Sequence, residues 1–251
     1  DFSVDPYIQQ GTVKISSNIG GTVYCQANKE YTGDFTADWA EGSWNAIRGY
    51  PSCVTFFQDR LCWASSPSEP HTIWMSKTGE YTEYGTSIPL VDSDAISVNL
   101  PSRELNAVNN LVGLQNLLGF TSSSEWLVGM DEIITPTSIG MRNQGYNGCS
   151  KTAPVVIGNR VITVQPMESI IRDYAYSFEV NGFNSSNISL LANHLFDNKK
   201  IVEMAYQQTP DSLVWCIRDD GVLLSLTYMK EQEVLAWSKI AVFRGLRTYL
   251  Q

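Results

Sequence analysis

Pro154-Val155-Val156-Ile157-Gly158-Asn159-Arg160-Val161-Ile162-Thr163-Val164 places two β-branched, apolar runs on either side of Gly-Asn. Branching at Cβ suits the pleated surface of a strand, and a glycine supplies the positive φ that a two-residue hairpin demands. The segment predicts a tight antiparallel hairpin. A third strand follows after a polar loop, in Ser169-Ile170-Ile171-Arg172-Asp173-Tyr174.

The same order of strand, turn, strand, loop and aromatic-bearing strand recurs in degenerate form on both sides of this segment. One copy upstream runs Cys53-Val54-Thr55-Phe56-Phe57, Gln58-Asp59 at the turn, Arg60-Leu61-Cys62-Trp63-Ala64, and then Thr72-Ile73-Trp74-Met75-Ser76. The next has Ala107 to Val112, Leu117 to Thr121 and Glu125-Trp126-Leu127-Val128. Downstream come Ile201 to Tyr206, Leu213 to Ile217, a turn at Asp220-Gly221, Val222 to Tyr228, and Glu233 to Trp237. Aligning Leu61, Leu117, Val161 and Leu213 gives offsets of 56, 44 and 52 residues, the spacing of propeller blades with variable loops. Burial is expected for Leu61, Trp63, Leu118, Val161, Val214 and Leu224. A lone blade cannot bury both of its faces, so four copies imply a ring completed by further residues or flanking domains.

The fold class expected is therefore all-β: β-propeller-like repeats of antiparallel hairpins with a small N-terminal β unit. Residues 1–48 hold that unit and a linker. Its strands are Thr12 to Ser16 and Thr22 to Gln26, joined at Gly20-Gly21, with Gly49-Tyr50-Pro51 punctuating the boundary. The repeat domain covers 49–239, and 240–251 forms a divergent tail. A helix is expected only over Ser189 to Phe196, where apolar residues recur at helical spacing.

A chain of 251 residues with 43% hydrophobic and 17% charged residues can bury a substantial core. Its net charge of −9 and the lack of any run of Lys or Arg argue against nucleic-acid binding, which depends on phosphate neutralisation. The five cysteines, Cys25, Cys53, Cys62, Cys149 and Cys216, form no C-x-x-C pair and read as unpaired apolar core residues. The longest apolar runs fall short of a membrane span, and Asp1 is not preceded by a leader, so a soluble fragment or trimmed product is expected.

Catalytic patterns are weak. The two histidines, His71 and His194, have neither paired-ligand nor triad spacing. Asp92 with Asp94, Asp131 with Glu132, and Asp219 with Asp220 are the carboxylate pairs available for glycoside hydrolysis, but each falls in an expected loop or turn. Gly20-Gly21 opens no helix and precedes no Lys-Ser, so it is no phosphate loop. The tryptophans are spread through the repeats as core anchors rather than clustered as a sugar platform. No catalytic, metal or cofactor-binding residue is assigned, and no cofactor is expected.

Three stretches resemble a family of bacteriophage tail proteins. They are Arg48-Gly49-Tyr50-Pro51-Ser52-Cys53-Val54-Thr55-Phe56-Phe57-Gln58-Asp59-Arg60-Leu61 with Thr72 to Tyr81; Arg172-Asp173-Tyr174-Ala175-Tyr176-Ser177-Phe178-Glu179-Val180 with Leu190 to Phe196; and Pro210 to Trp215 through Arg218-Asp219-Asp220-Gly221-Val222-Leu223-Leu224 to Val234. Some members bear the name of the ubiquitin-activating enzyme's first catalytic cysteine half-domain, over the region matching Trp39 to Ala64 here. Ubiquitin chemistry is not carried over, because Cys53 and Cys62 lie in apolar strands that disfavour a thiolate.

The resemblance implies a tail tube or nozzle component of a short-tailed phage. Such a protein is non-enzymatic and forms a homo-oligomeric ring with other tail proteins, the adaptor and fibres, around DNA that is only passing cargo. It implies assembly in the bacterial cytoplasm and residence in the virion, with no membrane segment. An acidic lumen would repel the transiting duplex. Ile240 to Gln251 departs from the family's continuation, and family members are longer. The alternatives are a glycan-hydrolysing tail module, which requires two converging carboxylates, and a carbohydrate-binding module, which requires exposed tryptophans on one face.

Overall fold

The computed structural model describes residues 13–19, 22–27, 43–102, 106–129 and 133–240. Within them the chain is nearly all β and forms an N-terminal hairpin and four four-stranded antiparallel sheets. The hairpin pairs β1 (Val13–Ile19) with β2 (Thr22–Ala27). Gly20, Gly21, Trp39 and the tail from 241 onward lie outside the described residues.

Every large sheet is a plain meander, with its strands hydrogen-bonded in chain order. The first holds β3 (Cys53–Phe57), β4 (Arg60–Ala64), β5 (Thr72–Met75) and β6 (Ile96–Asn99). The second holds β7 (Val108–Gly113), β8 (Leu117–Thr121), β9 (Glu125–Val128) and β10 (Met141–Gly145). In the third are β11 (Val155–Ile157), β12 (Arg160–Val164), β13 (Ile171–Ser177) and β14 (Gly182–Asn187); the fourth is built from β15 (Ile201–Gln207), β16 (Leu213–Arg218), β17 (Leu223–Met229) and β18 (Val234–Ile240). First strands pack against first strands, β3 on β7 and β11 on β15, as in propeller blades.

The turns follow from local chemistry. Gly158 takes φ +59° in the two-residue loop that pairs Ile157 with Arg160. Gln58 and Asp59 take φ 45° and 56° between Phe57 and Arg60, a conformation that side chains adopt only under some strain. Tertiary bonds hold that turn. The amide of Ile134 donates to Gln58 Oε1 at 2.8 Å, and Tyr81 Oη donates to Asp59 Oδ1 at 2.7 Å. At the turn between β16 and β17, Gly221 N donates to Arg218 O at 2.9 Å, so the loop begins before the Asp220-Gly221 expected from sequence.

Core residues lie between the sheets rather than within one. Cys62, Ala64, Met75, Leu117 and Val128 join the first sheet to the second. Leu118, Phe120, Leu127, Val161 and Tyr174 join the second to the third. The third meets the fourth through Ile162, Val164, Ile171, Val214, Leu224 and Leu226. Side chains alternate across a strand, so each sheet inside the array lends one face to each neighbour. Close approach matters at Gly113, where a Cβ would stand 2.7 Å from the carbonyl oxygen of Phe56.

Leu118, Val161, Val214 and Leu224 are buried as expected. Leu61 and Trp63 are only half-buried. The cause is strand parity: Cys62 and Ala64 take the face toward the second sheet, which turns Leu61 and Trp63 to the outer face. Trp44 partly covers that face, packing edge-on against Trp63 at 5.8 Å and Trp74 at 5.4 Å. The expected helix is a 3-10 segment, Leu190–Leu195, broken at Ala192. Leu190 and Leu191 are exposed, while Ala192, Leu195 and Phe196 face the core, Phe196 against Trp237 with ring centroids 4.8 Å apart.

Among the described cysteines, Cys53, Cys62, Cys149 and Cys216 are all free. The side chain of Cys25 lies outside the described residues. Burial pushes Cys53 up to about 11 and Cys62, Cys149 and Cys216 up to about 12. Thiolate is the reactive form, so these groups are slow nucleophiles at neutral pH. Labelling with a disulfide reagent under native conditions is expected to leave Cys62, Cys149 and Cys216 unmodified over the time in which denatured protein reacts fully. Rapid native modification of any of the three would contradict this burial.

Candidate functional site

Among the described residues, the carboxylates singled out from sequence, Asp92 with Asp94 and Asp219 with Asp220, are held apart in separate roles. Asp94 is fully buried. Its Oδ2 accepts the amides of Ser87 and Val91 at 2.9 and 3.0 Å, and Oδ1 meets Lys77 Nζ at 3.2 Å. Burial alone would raise its pKa, but those hydrogen bonds and the lysine hold it at about 2, so it stays ionised as a loop anchor. Asp92 is exposed, and its backbone carbonyl accepts Arg60 Nη2 at 2.7 Å. Asp220 pairs with Arg218 and with Lys199 at 3.4 Å, while Asp219 is solvent-facing. Asp131 and Glu132 lie outside the described residues. His71 sits in a loop and His194 is exposed on the 3-10 segment. No cluster of metal-ligating side chains occurs among the described residues.

Two buried acids that sequence reading passed over matter more. Glu125 opens β9 at 2% exposure and accepts the hydroxyl of Tyr174 at 2.6 Å, tying the second sheet to the third. Burial raises its pKa, and the tyrosine hydrogen bond opposes that. Both side chains lie deep inside the interface, so no substrate reaches them. Asp173 on β13 is 1% exposed; its Oδ2 accepts Arg160 Nη1 at 2.8 Å and Tyr228 Oη at 2.9 Å. Tyr228 comes from the fourth sheet, so this network spans the second interface of its kind.

Above Asp173 the core between the third and fourth sheets opens into a cleft of about 720 Å³. The inward parity of β12, β16 and β17 keeps the interface apolar through Ile162, Val214 and Leu226; toward the hairpin turns the same face carries Arg160 and Tyr228, and β15 adds Tyr206 beside Val214. The turn before β18 adds Lys230, and the loop between β15 and β16 adds Ser212. Tyr206 Oη and Ser212 Oγ lie 3.1 Å apart. The sequence offered two faint signals for this place: an arginine directly after a hairpin turn, and an aspartate inside an apolar strand.

Fold and geometry together define an array of propeller-like sheets with polar ties between them and a cleft between the third and fourth. Comparison with protein-family models gives no match, and the curated proteins give none either.

Proposed function

We propose that the chain is a structural module of a bacteriophage tail, a tube or nozzle component that works by ring assembly rather than catalysis. The observation that carries this reading is the unequal treatment of sheet faces. Three core clusters serve four sheets, and among the described residues none joins the first sheet to the fourth. The outer face of the first sheet exposes Val54 and Phe56 beside half-buried Leu61 and Trp63. That of the fourth carries Ile217, Val234 and Ile240 with half-buried Trp215. Apolar sheet faces of this kind mark interaction surfaces, and a neighbouring subunit's β-sheet has the shape and chemistry to cover them. The resemblance of the three quoted stretches to tail proteins supplies the setting. The net charge of −9 supports a channel that does not hold DNA.

Negative-stain electron microscopy and light scattering on the protein, alone and co-produced with tail proteins of the same virus, test this. Closed rings with a central channel are the expected result. A species that stays monomeric under all of these conditions, or glycan hydrolysis by the purified chain, would sink the proposal.

A further inference from the structure

We propose that the cleft between the third and fourth sheets binds an acidic saccharide. The chain as a whole has 26 acidic and 17 basic side chains. Yet among the described residues no acidic side chain lines the cleft, and both charged residues that do, Arg160 and Lys230, are cations. Lys230 is exposed and has no ion-pair partner among the described residues. Arg160 is fixed from behind by Asp173 while its side chain remains 32% exposed, so its planar fork is oriented before any ligand arrives. A preorganised guanidinium and an exposed ammonium lining the same cleft suit a carboxylate or sulfate group.

The remaining wall chemistry narrows the ligand. Tyr206 and Ser212 bring hydroxyls, and the rings of Tyr176 and Tyr206 bring flat apolar surface. Hydroxyl partners with aromatic faces are what a sugar ring uses, through its own hydroxyls and its C–H face. A bare inorganic anion would use the cations alone. A nucleic-acid duplex would need a longer cationic track than two residues provide. The site stands apart from the ring assembly, since it lies within one chain between consecutive sheets.

The test uses trigalacturonic acid, its fully methyl-esterified form, sodium sulfate and a short DNA duplex, each titrated against the whole protein by calorimetry and ligand-observed NMR. Trigalacturonic acid is expected to bind, with Lys230→Glu and Arg160→Gln each weakening it about tenfold, as loss of a charge-assisted hydrogen bond does. Lys230 is exposed, so the first variant keeps the fold; an unchanged melting temperature verifies this. Equal binding of the ester, competition by sulfate at the same concentration, tighter binding of the duplex, or no binding at about 10 mM would each overturn the proposal. None of these results bears on whether the protein forms rings.

Discussion

Replacing Arg60 by alanine is expected to cost about 3–5 kcal/mol of unfolding free energy, the scale for removing a buried charged hub and stranding its partners. Arg60 is 2% exposed at the start of β4. Its Nη1 donates to the carbonyls of Ser76 at 2.7 Å and Asp94 at 2.6 Å, and Nη2 donates to Asp92 at 2.7 Å. One guanidinium therefore closes the long loop between β5 and β6 onto the sheet. Alanine leaves three carbonyls with a void where their donor stood. Lysine keeps the charge but offers no planar fork, so Arg60→Lys should recover only part of the loss. Chemical denaturation of the three proteins measures this. A loss under about 1 kcal/mol for alanine, typical of a surface change, would show that the loop is held by other means.

Phe120→Ala is expected to be comparably severe, at about 3–5 kcal/mol for a buried phenylalanine. The ring is 1% exposed and meets Tyr174 edge-on, with centroids 5.4 Å apart and planes at 71°. Losing it opens a cavity beside the Glu125 to Tyr174 hydrogen bond, so one substitution weakens both the apolar and the polar tie between the second and third sheets. Phe56→Ala is the control: that ring is 62% exposed on the outer face, and its loss should cost no more than about 0.5 kcal/mol. Similar losses for the two variants would mean that the sheet interface is not where stability resides.

The hairpins were readable because two signals coincide in them. In β11 and β12, as in β3 and β4, apolar runs flank a two-residue turn, and pattern and turn chemistry agree. The outermost strands of the second and third sheets carry neither signal, and β6, with Ile96 and Val98, shows the alternation over only four residues. Met141–Gly145 reads MRNQG and Gly182–Asn187 reads GFNSSN; apart from Met141 and the buried Phe183, both strands are glycine and polar residues, so they show no apolar run. Only β18 was readable among fourth strands, because Val234, Leu235 and Trp237 lie in it. Face assignment failed at Leu61 and Trp63 for a different reason. A strand with apolar residues on both faces does not say which set meets the neighbour, and here Cys62 and Ala64 do. The cleft was hidden because its residues come from β11, β12, β13, β15, β17 and the loops beside them, which converge only when two sheets pack.

The meander order of the sheets bears on how the chain leaves the ribosome. Each sheet is complete within a contiguous stretch, Cys53 to Asn99 for the first and Val155 to Asn187 for the third. All pairing is between sequence neighbours, so no strand waits for a distant partner, and local pairing of this sort forms quickly. What must wait is the covering of a face: the first sheet's Cys62, Ala64 and Met75 stay open to water until β7 to β9 have emerged. Synthesis thus proceeds as a relay in which every newly finished sheet shelters its predecessor and presents a fresh sticky surface of its own. The chaperone requirement of the nascent chain should therefore be periodic, rising and falling once per sheet.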